Sequence, residues 1–492
     1  NVDSGLRDLG STTFSGTGIL TKTGAGSVIW AAGSATFALG AGSLIDLQEG
    51  VFGGGANANE NWTNNLGGLN VASGAIFNGV EANVRVDALT GAGTITSGYP
   101  GAGYENFTFG VNNGSGTFSG TLTDSDSAAA NFVKAGSGTQ TLTGPLDYNG
   151  TTTVSGGTLE LPGGDWKTGG RYSSGTGASG TIIVGAGATL STSSGVTGLQ
   201  NGLVLNGGTV SSRGLDYSNY RNLLLESNIT AGGAATSTIS SEISLAGDRE
   251  IDVGTDSTLN ITGGIANDGF LGGSQGITKT GTGTLELTAT NNSYTGATVV
   301  NDGTLIVSGN ISTSSMTTVQ TGASLGGAGT VGSLTIDSGA FLNPGNSPGI
   351  LTVNGDYNQA GTLTIEINGT TPGISGYDQV NVGLTTGDFD GSVTLSGSLV
   401  TAFSGGSYVN GNLLFILLND QSDTINGTFS GFAQDAIIAN YGGLDWKISY
   451  TADSGSSSFT GGNDVALMAV PEPRAALLGG LGLLALLRRK RS

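Results

Sequence analysis

None of the 492 residues is a histidine or a cysteine, which narrows the available chemistry at once. A Ser-His-Asp or Cys-His nucleophile system cannot be assembled, nor a thiolate or imidazole metal site, nor a disulfide framework. What remains is carboxylate chemistry. The densest charged stretch runs Arg213, Asp216, Arg221 and Glu226, then Asp248, Arg249, Glu250 and Asp252. On a strand, Asp248, Glu250 and Asp252 at i, i+2 and i+4 share one face. Acids grouped beside an arginine could hold calcium, or act as acid and base in cleaving a polysaccharide. Scattered acids on a solvated surface usually do neither. No catalytic residue, cofactor site or metal site is therefore assigned.

Weak surface calcium is the remaining ion chemistry. Asp124/Asp126 and Asp388/Asp390 are paired acids, and Gly461-Gly462-Asn463-Asp464 matches part of the Gly-Gly-x-Gly-x-Asp calcium repeat. That repeat works through stacked copies, and this one stands alone, so a simple turn is the expected reading. Lys22, Lys134 and Lys279 recur at equivalent places. They are expected to be outward charges that blunt edge pairing beside a glycine turn, with a ligand-binding row as the alternative. Tyr104, Phe107, Phe109, Tyr148 and Tyr294 could stack on sugars, but packing between layers is the expected use.

The elements that must carry these residues are written in the composition. The chain has 92 glycines, only 8 prolines and 11% charged residues, with 36% hydrophobic. Collagen is excluded by the missing three-residue period, and disorder by the hydrophobic content. The net charge is −20, a poor match to phosphate backbones, so nucleic acid is not a partner. The chain opens at Asn1 without a basic-plus-apolar leader, as after removal of an export signal or in an incomplete record.

Two segments repeat. Residues 134–161 read KAGSGTQTLTGPLDYNGTTTVSGGTLEL and residues 279–307 read KTGTGTLELTATNNSYTGATVVNDGTLIV. Lysine to tyrosine is 14 residues in one and 15 in the other, and tyrosine to the closing leucine is 11 in both. A degenerate third copy, KTGAGSVIW, begins at Lys22. A finer beat runs through Leu285, Leu305, Leu325, Leu342 and Leu363, at steps of 20, 20, 17 and 21, and through Leu190 and Val210. Apolar and Thr/Ser/Asn positions alternate around each anchor, which predicts strands with one buried face.

A beat near 20 residues with about three short strands per beat predicts one coil of a solenoid. One coil cannot bury its apolar face, but stacked coils can, and stacking also pairs the backbone. The expected fold is therefore all-β, a parallel β-helix. An up-and-down barrel offers no reason for a glycine-led beat. Residues 1–130 are expected to form the first coils, 131–385 the repeat-bearing helix, and 386–469 an antiparallel β cap. The cap is read from Leu413–Leu418, Ile425–Phe429 and Trp446–Tyr450, since an open last coil would invite edge pairing.

The end of the chain differs. Val470, Pro471, Glu472 and Pro473 precede the apolar run Ala475–Leu487, which ends in the basic cluster Arg488, Arg489, Lys490 and Arg491. As a helix, 13 residues span about 20 Å, short of a ~30 Å hydrocarbon core. The basic cluster would stay cytoplasmic. This order of motif, glycine-broken apolar run and basic end resembles the PEP-CTERM sorting signal. The resemblance implies export, a short C-terminal hydrophobic helix anchored transiently in the inner membrane, and an exosortase-type processing enzyme as partner.

The repeats carry a second resemblance. KAGSGTQTLTG and KTGTGTLELTA with their continuations, residues 324–357 and Tyr377–Val382 look like the autotransporter-associated β-strand repeats of passenger domains. That implies a right-handed β-helix on a cell surface. No run of barrel strands accompanies them here, and the sorting tail is expected to take the place of self-translocation. The function expected is that of an exported surface or matrix protein of structural or adhesive role, with exopolysaccharide or other envelope components as partners. A polysaccharide lyase or hydrolase on the same fold is the alternative.

Overall fold

The computed structural model describes residues 1–30, 35–54, 60–99, 106–125, 128–161, 180–192, 197–199, 202–212, 223–269, 272–345, 348–383, 391–419 and 423–472. The expected terminal hydrophobic helix, Ala475–Leu487, lies outside them. Among the described residues every regular element is a strand, and no helix is long and apolar enough to cross a membrane. The chain forms two compact units, Asn1–Gly273 and Ser274–Ser492.

In the second unit each coil from Thr298 to the cap contributes one short strand to each of three parallel ladders. Thr298–Val300, Thr304–Val307 and Asn310–Ile311 make one such coil; Thr317–Val319, Ser324–Gly327 and Thr330–Val331 make the next. All three pairs between these coils are parallel. That excludes the up-and-down alternative and establishes the solenoid. The beat read from the sequence is a physical column: Leu285, Leu305, Leu325, Leu342, Leu363 and Leu399 stand opposite one another in successive strands. The first five are 0% exposed. Burying a leucine contributes about 1.5–3 kcal/mol, so each added coil extends a core that no coil could build alone.

The first unit uses the same three-strand coil. Leu190 faces Val210, as their spacing predicts, and Ile45 faces Leu69, which faces Leu89. Aromatic rings fill much of the earlier bore. Phe37 stacks on Trp62 with centroids 3.8 Å apart, Trp62 meets Phe77 at 5.9 Å, and Phe77 meets Phe107 at 5.9 Å. Phe107 then meets Phe132 at 5.8 Å, and Phe132 meets Tyr148 at 4.5 Å. Rings offset between neighbouring coils bury more area per residue than leucine does.

The antiparallel cap is present in the second unit. Val393–Leu395 and Ser398–Phe403 still extend the parallel ladders. Leu413–Leu418 is the turning point: one edge runs parallel to Gln379–Val382, the other antiparallel to Asp464–Pro471. Leu444–Ala452 and Ile437–Tyr441 complete the sheet in antiparallel order. The third ladder thus continues from the last coil into an antiparallel sheet rather than ending as a bare edge.

Candidate functional site

The recurring lysines point inward, which corrects both sequence readings of them. Lys22, Lys134 and Lys279 are 5%, 0% and 0% exposed. Lys134 Nζ donates to the carbonyls of Ala135 (2.6 Å), Gly136 (3.1 Å) and Gly156 (3.1 Å). Lys279 repeats this with Thr280 (2.8 Å), Gly281 (2.6 Å) and Asp302 (3.1 Å). Lys22 does so with Thr23 (3.1 Å), Gly24 (2.6 Å) and Glu49 (2.9 Å). In each case two carbonyls come from the lysine's own turn and the third from the turn of the following coil. An ammonium has three donors, and each is used.

The local cause is a Lys-x-Gly sequence. Gly24, Gly136 and Gly281 all have positive φ, a conformation that glycine adopts without steric cost and that accompanies a carbonyl turned to the amine. A side chain at Gly136 would also collide with the Gly110 carbonyl of the preceding coil. The clamp ties one coil's turn to the next and leaves no amine for a ligand. Burial pushes the Lys134 ammonium down to about 8, with the Asp87 carboxylate pulling the other way. Burial lowers Lys22 as well, against the opposing pull of Glu49.

The tyrosines of the repeats are equally internal. Tyr148 and Tyr294 share hydroxyl hydrogen bonds with Thr152 (2.5 Å) and Thr298 (2.8 Å), four residues on in each repeat. Thr298 continues to Ser314 (2.9 Å), which donates to the Gly296 carbonyl (2.9 Å). Phe107 and Phe109 are wholly buried. None of these four rings presents a face to a sugar. Tyr104 lies outside the described residues.

The acids are mostly committed to backbone. Asp124 accepts from the Ala130 and Asn149 amides (2.6 and 2.8 Å) and from Asn149 Nδ2 (2.7 Å). Asp464 of the glycine-led loop accepts from the Asn419 and Ser454 amides (2.9 and 2.8 Å), which makes it a tie for that loop. Glu250 and Asp252 do share the outer face of Arg249–Val253, where the inward residues are Ile251 and Val253. Arg249 Nε donates to the Leu225 carbonyl (2.9 Å). Among the described residues no group of three or more acidic side chains is placed to hold a metal ion. Arg213, Asp216, Arg221, Asp126, Asp388 and Asp390 lie outside those residues.

The residues that do face solvent in order are ladders of small polar groups. On one face of the first unit Asn70 Nδ2 donates to Asp46 Oδ1 (2.8 Å), and Thr90 Oγ1 donates to Asn70 Oδ1 (3.1 Å). Thr141 Oγ1 reaches Glu160 Oε2 (2.8 Å) in the same way. These outward positions alternate with the inward core positions along each strand.

At the end of the cap, Val470 pairs with Asp445 and Pro471 with Leu444. Glu472 Oε1 accepts from Asn440 Nδ2 (2.8 Å), which also donates to Asp445 Oδ1 (3.0 Å). Pro473 and the cluster Arg488, Arg489, Lys490 and Arg491 lie outside the described residues.

The class defined by this geometry is a parallel β-solenoid of stacked repeats. A family model, the passenger-associated-transport-repeat, matches residues 132–161 and 277–307. Those are the two segments that hold the complete lysine clamp and the buried tyrosine. The chain is also similar to the adhesin BmaC autotransporter of Brucella suis biovar 1 (strain 1330), 28% identical over 333 residues. The aligned region is 61% of this chain and 8% of that protein, so the chain spans a small part of the relative's length.

Proposed function

We propose that this chain is an exported, surface-presented β-solenoid of adhesive or structural role. The observation that supports this best is the division of labour in each coil. Lysines and several acids that could have done chemistry are spent on main-chain contacts and the repeat tyrosines on buried threonine hydroxyls, while ordered hydroxyl, amide and carboxylate ladders face outward. Such ladders suit hydrated polymers, and exopolysaccharide or other envelope components are the partners they would meet. The likeness to an adhesin autotransporter and the two passenger-type repeats support the same reading. It requires no cofactor, and calcium would bind its surface only weakly.

On this reading the tail sorts the protein. Val470–Pro473, the apolar run Ala475–Leu487 and the basic cluster hold the exported chain in the inner membrane until an exosortase-type enzyme processes it. The experiment is cell fractionation with surface protease shaving of the full chain, alongside adhesion assays of cells with and without it. Surface exposure together with chain-dependent adhesion is expected. Cytoplasmic retention would overturn the reading. So would cleavage of a uronate polysaccharide by the purified protein, with or without calcium, since that is enzyme behaviour.

A further inference from the structure

The cap gathers its aromatic side chains where the chain leaves it. Phe403 lies 5.0 Å from Tyr441 and 5.0 Å from Trp446, and Tyr408 lies 5.9 Å from Tyr441 and 5.2 Å from Trp446. Tyr441 pairs with Leu444, which pairs with Pro471, the last residue of the final strand. The turn before Leu413–Leu418 reaches the same edge: Gly411 donates to the Ala469 carbonyl at 2.9 Å, and Asn412 accepts from Ala469 at 2.9 Å. That turn carries Val409, 64% exposed. Trp446 is buried beneath, while Phe403, Tyr408 and Tyr441 are half-buried.

The covalent tether from this rim is short. Asn440 holds Glu472, and only Pro473 and Arg474 separate it from the apolar run that starts at Ala475. Three residue steps span at most about 11 Å. Once that run enters a bilayer, Glu472 lies within about 11 Å of the hydrocarbon boundary, which keeps the adjoining rim next to the membrane surface. Tyrosine and tryptophan, with apolar rings and polar tips, are the residues favoured at that depth. Two carboxylates lie close to the rim: Asp445, which is buried, and Glu472, and both accept from Asn440.

We propose that the cap rim formed by Tyr408, Val409 and Tyr441 is a membrane-contact surface that rests in the lipid headgroups and orients the cap on the bilayer. This rests on the reading above that the apolar run inserts. The full chain has no cysteine, so single labels are clean. Val409→Cys and Ser407→Cys would carry an environment-sensitive fluorophore, with Met316→Cys, 42% exposed on a coil of the same unit, as the control. Each labelled chain is reconstituted in phosphatidylcholine vesicles containing headgroup-spin-labelled lipid and then floated on a density gradient.

Flotation with quenching of the rim probes about twofold or more above the Met316 probe is the expected result. Flotation with all three probes equally open to aqueous iodide would overturn the rim contact and leave the tail insertion standing. Failure to float would overturn both.

Discussion

The Gln140 side chain closes a two-bond ring with the backbone of Leu89, 51 positions earlier. Its Nε2 donates to the Leu89 carbonyl at 2.9 Å, and its Oε1 accepts from the Leu89 amide at 3.2 Å. Gln140 is 1% exposed and stands opposite Gly116 on one side and Leu159 on the other. Gly116 lacks a side chain, and the ladder between Leu89–Gly91 and Gly116–Phe118 is paired only at Gly91 and Phe118. The glutamine amide passes through that opening and replaces the missing strand contact.

Gln140→Leu should therefore strand a buried N–H and C=O together, at a cost of about 1–3 kcal/mol for each unsatisfied group. Hydrogen exchange at the Leu89 amide is the direct reading. Its protection is expected to collapse locally while Leu305 stays protected. Unchanged protection at Leu89 would mean the amide is satisfied elsewhere.

Lys134 gives a pH signature. Its folded-state value is about 8 against an ordinary 10.5. Between those limits the unfolded chain binds the proton and the folded chain does not, so this group makes stability rise with pH across that window. Below about pH 8 its cost is constant. Lys134→Met should flatten the rise. The check is the wild-type minus variant difference in denaturation midpoint from pH 7 to 10.5.

Glu60 should act with the opposite sign. It is 8% exposed, its Oε1 lies buried with no hydrogen-bond partner among the described residues, and burial raises its carboxyl to about 8, with a Gly54 backbone bond opposing and Glu81 adding. From its ordinary 4.5 up to about 8 the folded state holds the extra proton, so stability falls as pH rises through that range. Glu60→Gln removes the titration. The variant should gain on wild type between about pH 4.5 and 8 in denaturant unfolding and keep that gain above pH 8, and a constant gap across the window would refute the shift.

Leu305 tests the column directly. Leu305→Ala should cost about 2–5 kcal/mol, as core truncations do. Leu305→Asp should cost more, because an unpaired charge in the bore has no partner. Limited proteolysis is the measurement, and an aspartate variant as resistant as wild type would place residue 305 outside the core.

The tail motif separates recognition from docking. Glu472→Ala should leave membrane insertion intact and block processing, so uncut chain accumulates in the membrane fraction. Asn440→Ala removes the clasp on Glu472 but keeps the motif, and processing should persist. Deletion of Ala475–Arg491 should release soluble protein into the periplasm. Equal loss of processing in both point variants would assign the effect to the cap edge rather than to the motif.

The sequence by itself determined the repeating coil. Alternation along a strand and a beat near 20 residues are local properties, and together they predicted the column Leu285 to Leu363; the terminal antiparallel cap was read instead from the break in that beat and the apolar run Leu413–Leu418. Of the aromatic ladder from Phe37 to Tyr148, Phe107 and Tyr148 were read as packing between layers, as they do; Phe37, Trp62, Phe77 and Phe132 escaped notice, because the members sit at uneven spacings that only coils of unequal length bring into register. Leu399 was missed for a similar reason: the coil before it is long.

Tertiary structure alone decided the polar positions. A lysine after an alternating strand looks like surface charge. It becomes a buried clamp only when Gly136 turns its carbonyl inward and Gly156 of the next coil supplies the third acceptor. Gln140 occupies the repeat position that Leu285 fills in the other copy, and nothing local shows that a glycine one coil below has opened room for its amide. A buried polar group is tolerated only where partners converge on it, and here those partners come from different coils.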